Sequence, residues 1–176
     1  GAEPEFVWHS ESSLSGYDAV ILPGGFAHGD YLRPGAIARF SPVMPAVSEF
    51  AAAGGPVLGI CNGFQVLAEA GLVPGALQKN RGLTFLCQPT TLVVHSTRSV
   101  LTRQATVGQQ LRVPINHFSG NYTCDDTTWN QLVERDQIVL TTDEVMEANA
   151  WFDQREAEME DSWLDAAYEA RTEIDF

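Results

Sequence analysis

The chain has 176 residues, 44% of them hydrophobic, which is enough to bury one sizeable core, so one compact domain is expected rather than two independent ones. Ten basic side chains against twenty-three acidic ones leave a formal net charge of −13, which repels phosphate backbones and anionic lipid heads and argues against nucleic acid or a membrane as partner. No apolar run approaches the roughly 20 residues of a membrane-crossing helix, and the opening GAEPEFVWHS has neither the basic nor the apolar region of an export signal. Three cysteines, Cys61, Cys87 and Cys124, are an odd number in a chain that does not need staples, so each is read as a free thiol and the compartment as the cytoplasm.

Along the chain, Glu5 to Trp8 has the composition of a strand, and Ala19 to Leu22 is an apolar run closed by Pro23-Gly24-Gly25, a short buried strand ending in a tight loop. Gly35 to Phe40 and Val43 to Ala53 carry helical spacing, the second stopped by Gly54-Gly55. Pro56 to Ile60 is a second buried strand, which runs straight into Cys61-Asn62-Gly63 and a helix reaching about Gly71. Strands alternating with helices imply an α/β domain with a doubly wound, mostly parallel sheet, whose ligands bind at the carboxyl ends of the strands. Further on, Leu83 to Val94, Leu111 to Ile115 and Gln137 to Leu140 are candidate strands, and Asp125 to Val133 a helix with Asp125 or Asp126 as N-cap. From Val145 on, Phe152, Met159, Trp163, Ala166 and Ala170 recur at helical steps among many acids, so residues 145–176 read as one acidic amphipathic helix beyond a domain of residues 1–144. Trp151, Phe152 and Trp163 are either core residues of that helix or, if it does not fold back, an exposed apolar patch.

The chemistry concentrates at Gly59-Ile60-Cys61-Asn62-Gly63, where glycines stand two residues either side of a potential nucleophile at a strand-to-helix junction. A nucleophile on so sharp a bend sits in strained backbone, and side chains at the flanking positions would clash. The helix that follows turns its N–H groups and positive end toward the sulfur. The main-chain N–H of Asn62 is then placed to hold an oxyanion, and Gly25, in the glycine pair closing the neighbouring strand, is the candidate second donor. A buried cysteine acting as a small hydrophobe is the alternative for Cys61. Neither Cys87 nor Cys124 has flanking glycines or a histidine at metal-ligand spacing; both read as packing residues, and no metal site is expected.

Several stretches together resemble the class I glutamine amidotransferase family, in particular the amidotransferase subunits of phosphoribosylformylglycinamidine synthase. They are Gly24 to Arg33, Gly35 to Phe40, Gly59 to Gln65, Leu72 to Leu77 with Asn80-Arg81, and Pro114 to His117 with Gly120 to Tyr122. The resemblance runs from about Phe6 to about Val139 and implies a flavodoxin-like arrangement of the doubly wound sheet. It implies hydrolysis of the glutamine side-chain amide through a thioester on Cys61, with Gly25 and Asn62 as oxyanion donors and Gln65 and His117 at the substrate glutamine. It also implies that ammonia passes to a synthetase subunit, with or without a small accessory subunit, which converts formylglycinamide ribonucleotide to formylglycinamidine ribonucleotide. ATP and magnesium would belong to that synthetase, with no cofactor in this subunit. Asp30, Tyr31 and Arg33 match a stretch particular to the subfamily, with an interface or ammonia-transfer role or a loop tying down its own turn as the two readings. His28 stands where many relatives carry tyrosine and is given no role.

A cysteine amidase needs a base, normally a histidine oriented by a carboxylate, which the family places in a His-Pro-Glu triplet near its C-terminus. The sequence has no such triplet, and its histidines, His9, His28, His95 and His117, all precede Tyr122. The family's first strand and helix have no counterpart either. A truncated or altered chain is the favoured explanation over a natural variant without the dyad. His117 as substitute base is the weaker reading beside a histidine that orders its own loop. A catalytically silent scaffold and a different cysteine hydrolase on the same fold remain the rival functions.

Overall fold

The computed structural model describes residues 1 to 142, so the acidic helix expected over 145–176 lies outside the described residues. The chain divides into two compact units, Gly1–Pro74 and the part from Gly75 onward.

In the first unit β1 (Val20–Leu22) and β2 (Val57–Gly59) pair in parallel, with Val20 opposite Val57 and Leu22 opposite Gly59. Alternation along β1 sends Val20 and Leu22 to one face, where they pack on a core of Ala38, Met44, Val47, Val66 and Leu67. Ile21 points the other way and is 60% exposed, so the run expected to be wholly buried is covered on one face only among the described residues. Helix α1 (Met44–Ala52) contributes Met44 and Val47 to this core, and α2 (Asn62–Glu69) contributes Val66 and Leu67, one helical step apart on the face turned to the strands. Gly54, at φ +89°, ends α1 in a left-handed turn whose N–H bonds to Ala51 while that of Gly55 bonds to Phe50, as the Gly54-Gly55 stop signal predicts.

Two expectations fail here. Glu5 to Trp8 is no strand: no segment pairs with it among the described residues, and Phe6 and Trp8 are exposed. Gly35 to Phe40 is a turn followed by a single 3-10 turn (Ala38–Phe40). Gly35 lies at φ +80° directly after Pro34, and its missing side chain lets it sit on the α2 backbone, where a Cβ would come within 2.7 Å of the Gln65 carbonyl carbon.

The second unit is antiparallel. Strands β3 (Ala76–Gln78) and β6 (Asn121–Thr123) form one pair, and β4 (Leu86–Val94), β5 (Gln110–His117) and β7 (Leu140–Thr142) form a sheet in the order β5-β4-β7. The doubly wound, mostly parallel sheet is therefore seen, among the described residues, in the β1–β2 pair alone, and the fold is mixed α/β. No helix separates β4 from β5, so the chain returns alongside itself instead of crossing over. Pro89 and Pro114 face each other across this ladder where, among the described residues, neither strand has a further neighbour, since β7 pairs with Leu92 to Val94. Each proline thereby gives up an N–H that the sheet does not use.

Helix α3 (Asp126–Glu134) begins as expected, with the Asp125 carboxylate accepting the Thr128 N–H at 2.7 Å. It ends through Asp136, a non-glycine residue at φ +52°, with the Asp136 and Gln137 N–H groups returning to Val133 and Leu132. Asp136 also accepts the Ser96 hydroxyl at 2.8 Å, a bond that glycine could not make. Closing the helix consumes Gln137, so β7 starts at Leu140, three residues later than the sequence pattern suggests.

Candidate active site

Cys61 is the residue at which β2 becomes α2, and its backbone is at φ +52°, ψ −115°. For a residue with a side chain such a conformation costs on the order of 1–3 kcal/mol, which the surrounding structure must supply. The glycines expected to permit the bend are required by close approach. A Cβ on Gly63 would stand 2.6 Å from the Leu22 carbonyl carbon and closer still to its oxygen, and one on Gly59 would stand 2.7 Å from the Phe64 nitrogen. The elbow is thus pressed against the end of β1 with no room for a methyl group.

The same closeness brings the diglycine loop to the thiol. A Cβ on Gly24 would lie 3.3 Å from the Cys61 Cβ and 3.9 Å from Sγ, while Gly25, at φ +148°, would meet nothing within 4 Å. Cys61 is exposed. Its carbonyl accepts the Phe64 and Gln65 N–H groups at 3.0 and 3.3 Å, which starts α2. Among the described residues no acceptor takes the main-chain N–H of Gly25 or Asn62.

Asn62 is 3% exposed and its side chain joins three segments. Its Oδ1 accepts the Ala27 N–H at 3.0 Å, and its Nδ2 donates to the Asp30 carboxylate at 3.2 Å and to Gln65 Oε1 at 2.9 Å. The loop after β1 is held further on by Arg33, whose guanidinium grips the Glu69 carboxylate with two nitrogens, Nη2 donating to Oε2 at 2.7 Å, while Arg39 donates to the Glu69 carbonyl at 3.0 Å. The guanidinium of Arg33 is held above its ordinary value by the hydrogen bond to Glu69 and by its charge. Asp30 and Arg33 therefore tie their own loop to α2, whereas Tyr31 is left exposed beside them. Sequence reasoning assigned Asn62 only a main-chain role. The signal it passed over is an Asn three residues before a Gln, a spacing that puts both amides on one helix face.

Cys61, Gly25, Asn62 and Gln65 all belong to the first unit, and His117 to the second, at the end of β5. There its Nδ1 lies 3.0 Å from Oδ1 of Asn80, which is 1% exposed, and Asn80 also donates to the carbonyls of Thr84 and His117 and accepts the Gly120 N–H. This buried amide orders the loop around His117 and was given no role from the sequence.

All three cysteines are free thiols. Cys87 is exposed on β4 in a stretch, Cys87 to Pro89, that is exposed on both faces, so the expectation that it packs is not met. Cys124 is half-buried beside Tyr122; burial pushes both groups above their ordinary values. No group of three or more metal-ligating side chains occurs among the described residues, nor a helix long and apolar enough to cross a membrane.

The family model of the CobB/CobQ-like glutamine amidotransferase domain matches residues 5–150. Among solved structures, a chain in the structure of PurLQS from Thermotoga maritima is 41% identical, with a TM-score of 0.62 over 65% of this chain and 54% of that one. The present chain thus spans about half the length of the chain it matches. These likenesses bear out the resemblance carried by the motifs. With the family match running over most of its length, the chain belongs to the CobB/CobQ-like glutamine amidotransferase domain family.

Proposed function

We propose that this chain hydrolyses glutamine on Cys61 and delivers the ammonia to a synthetase that makes formylglycinamidine ribonucleotide in purine biosynthesis. The observation that carries the reading is the strained Cys61 backbone at the head of α2, with Gly24 packed against its side chain. In this reading the domain is completed as a flavodoxin-like, doubly wound sheet.

The sulfur attacks the side-chain amide carbon of glutamine, and the carbonyl electron pair moves onto oxygen. That oxyanion is held by the N–H groups of Gly25 and Asn62. Collapse breaks the C–N bond, and the thiol proton ends on the departing nitrogen as ammonia. Water then cleaves the γ-glutamyl thioester to glutamate and restores the thiol. Gln65 and His117 bind the substrate, and ATP with magnesium acts on the synthetase, with or without a small accessory subunit. The likeness to a chain of PurLQS supports the assignment to this pathway. The second reading is a catalytically silent scaffold that keeps the fold and a synthetase-facing surface.

An ammonia-release assay with glutamine and the cognate synthetase separates the two. Ammonia that disappears in Cys61→Ser supports hydrolysis, and none from the parent chain supports the scaffold.

A further inference from the structure

We propose that the Asn62 side chain is a positioning residue for the oxyanion hole: its main-chain N–H serves as one donor, and its amide holds the loop that brings Gly25, the other donor, to Cys61. The proposal rests on the reading of Cys61 as an acyl-transfer nucleophile served by those two donors.

The loop has little else to fix it near Gly25. Of its apolar side chains Ala27 packs against the core, while Phe26, Tyr31 and Leu32 are exposed. His28, Gly29 and Asp30 follow one another at φ +55°, +68° and +50°, a left-handed path that residues with side chains take only where neighbours hold them there. The loop's own hydrogen bond, Gly29 N–H to the Phe26 carbonyl at 2.9 Å, closes a turn without fixing where that turn sits. Asn62 supplies the fixed point on both sides of the left-handed run. Its Oδ1 accepts the Ala27 N–H at 3.0 Å, two residues past Gly25, and its Nδ2 donates to the Asp30 carboxylate at 3.2 Å. Because Asn62 is buried, water does not compete for these bonds. The Arg33 ion pair with Glu69 acts at the far end of the loop, where the guanidinium is exposed. Without the Asn62 amide the Gly25 N–H would drift from Cys61, while the thiol and the Asn62 N–H stayed in place.

Three variants separate this role from general support of the fold. Asn62→Ala deletes both bonds to the loop and keeps the main-chain donor. Asp30→Gly removes the carboxylate, leaves the Asn62 contact with Gln65 intact, and suits the left-handed backbone. Asp30→Asn tolerates that backbone and keeps an oxygen for the Asn62 amino group.

The experiment labels Cys61 in the full chain and reads it by peptide mass spectrometry, with exposed Cys87 as internal standard. In acylation by 4-nitrophenyl acetate, thiolate sulfur bonds to the acetyl carbon through a tetrahedral oxyanion. The C–O bond then breaks, and 4-nitrophenolate leaves with the electron pair, needing no proton. Iodoacetamide alkylates by direct displacement of iodide, with no oxyanion. Neither reagent carries glutamine's recognition groups. In the parent, the Cys61 to Cys87 ratio is expected to be at least about tenfold higher for acylation than for alkylation, a modest share of what an oxyanion hole supplies. That excess should fall to within about twofold of none in Asn62→Ala, fall at least about threefold in Asp30→Gly, and stay within about twofold of the parent in Asp30→Asn. A parent-like excess in Asn62→Ala overturns the proposal, as does a loss of acylation matched by an equal loss of alkylation, which marks mere loss of structure. Asp30→Asn as impaired as Asp30→Gly also overturns it. Should Asn62→Ala not fold, Asp30→Gly decides, a parent-like excess refuting the role. A parent chain with no acylation excess at Cys61 defeats the oxyanion reading of the site itself, and this proposal with it.

Discussion

Gly63→Ala is the substitution for which the structure gives the most definite cost. The added methyl carbon would lie 2.6 Å from the Leu22 carbonyl carbon, against roughly 3.5 Å for an unstrained carbon contact, so the elbow and β1 must separate by about 1 Å. The obstacle is backbone, which cannot rotate aside as a side chain would. The Leu22 oxygen also accepts the Ile60 N–H at 3.0 Å, and a separation of that size breaks this bond. Overpacking at about 2 kcal/mol plus one lost hydrogen bond at about 1 kcal/mol gives a destabilisation of about 3 kcal/mol. For a chain of this size that is a fall in Tm of roughly 6–12 °C. Urea unfolding followed by circular dichroism reads it as a lowered midpoint at unchanged slope. Gly82→Ala is the control, because its methyl would meet only the Thr84 side-chain hydroxyl, at 3.3 Å. A Gly63→Ala loss within about 0.5 kcal/mol of the control would refute the claim that this glycine is required by close approach.

Two further predictions concern the second unit. The Asp125 carboxyl is held below its ordinary value by the hydrogen bond from the Thr128 N–H, so its capping contribution is complete above the pH at which free aspartate ionises and is lost as pH falls through the lowered native value. A pH series of unfolding midpoints should show this acid-side decline, and Asp125→Asn, which caps without a charge, should remove its part of the slope; an unchanged slope contradicts the assignment. His117 should be the Nδ1–H tautomer when neutral, because Asn80 Oδ1, fixed as oxygen by the Gly120 N–H, lies 3.0 Å from Nδ1. Long-range proton–nitrogen correlation spectra of labelled histidine, assigned with His117→Gln, would refute this by showing the hydrogen on Nε2.

The elements legible in the sequence are those whose signals are local. Gly54-Gly55 stops α1 and Asp125 caps α3 through groups within a turn of themselves, and β1 and β2 are apolar runs bounded by turn residues. What was missed depends on partners far along the chain. The three residues of β3 become a strand only because Leu77 finds Tyr122, and Glu5 to Trp8 fails to become one because nothing pairs with it among the described residues. Periodicity also could not tell a crossover from a return, so a parallel sheet was extended into a region where β4 and β5 run antiparallel.

The site divides along the same line, and the division explains why one asparagine was half read. The elbow was legible because strained backbone leaves glycine as its trace, and Gly59 and Gly63 stand where a methyl group would strike backbone. A main-chain role for Asn62 follows from position alone, whatever its side chain. The side chain left only the weaker trace of its spacing to Gln65, since its other partners, Ala27 and Asp30, lie more than thirty positions upstream and the burial that makes it necessary comes from tertiary packing. Among residues that shape a reacting centre, those acting by excluding volume are therefore readable from one sequence, and those acting by directing hydrogen bonds become readable only when the partners are seen together. Asn80 beside His117 is the second case in this chain: a buried amide with every polar atom engaged, and nothing in its neighbours along the sequence to announce it.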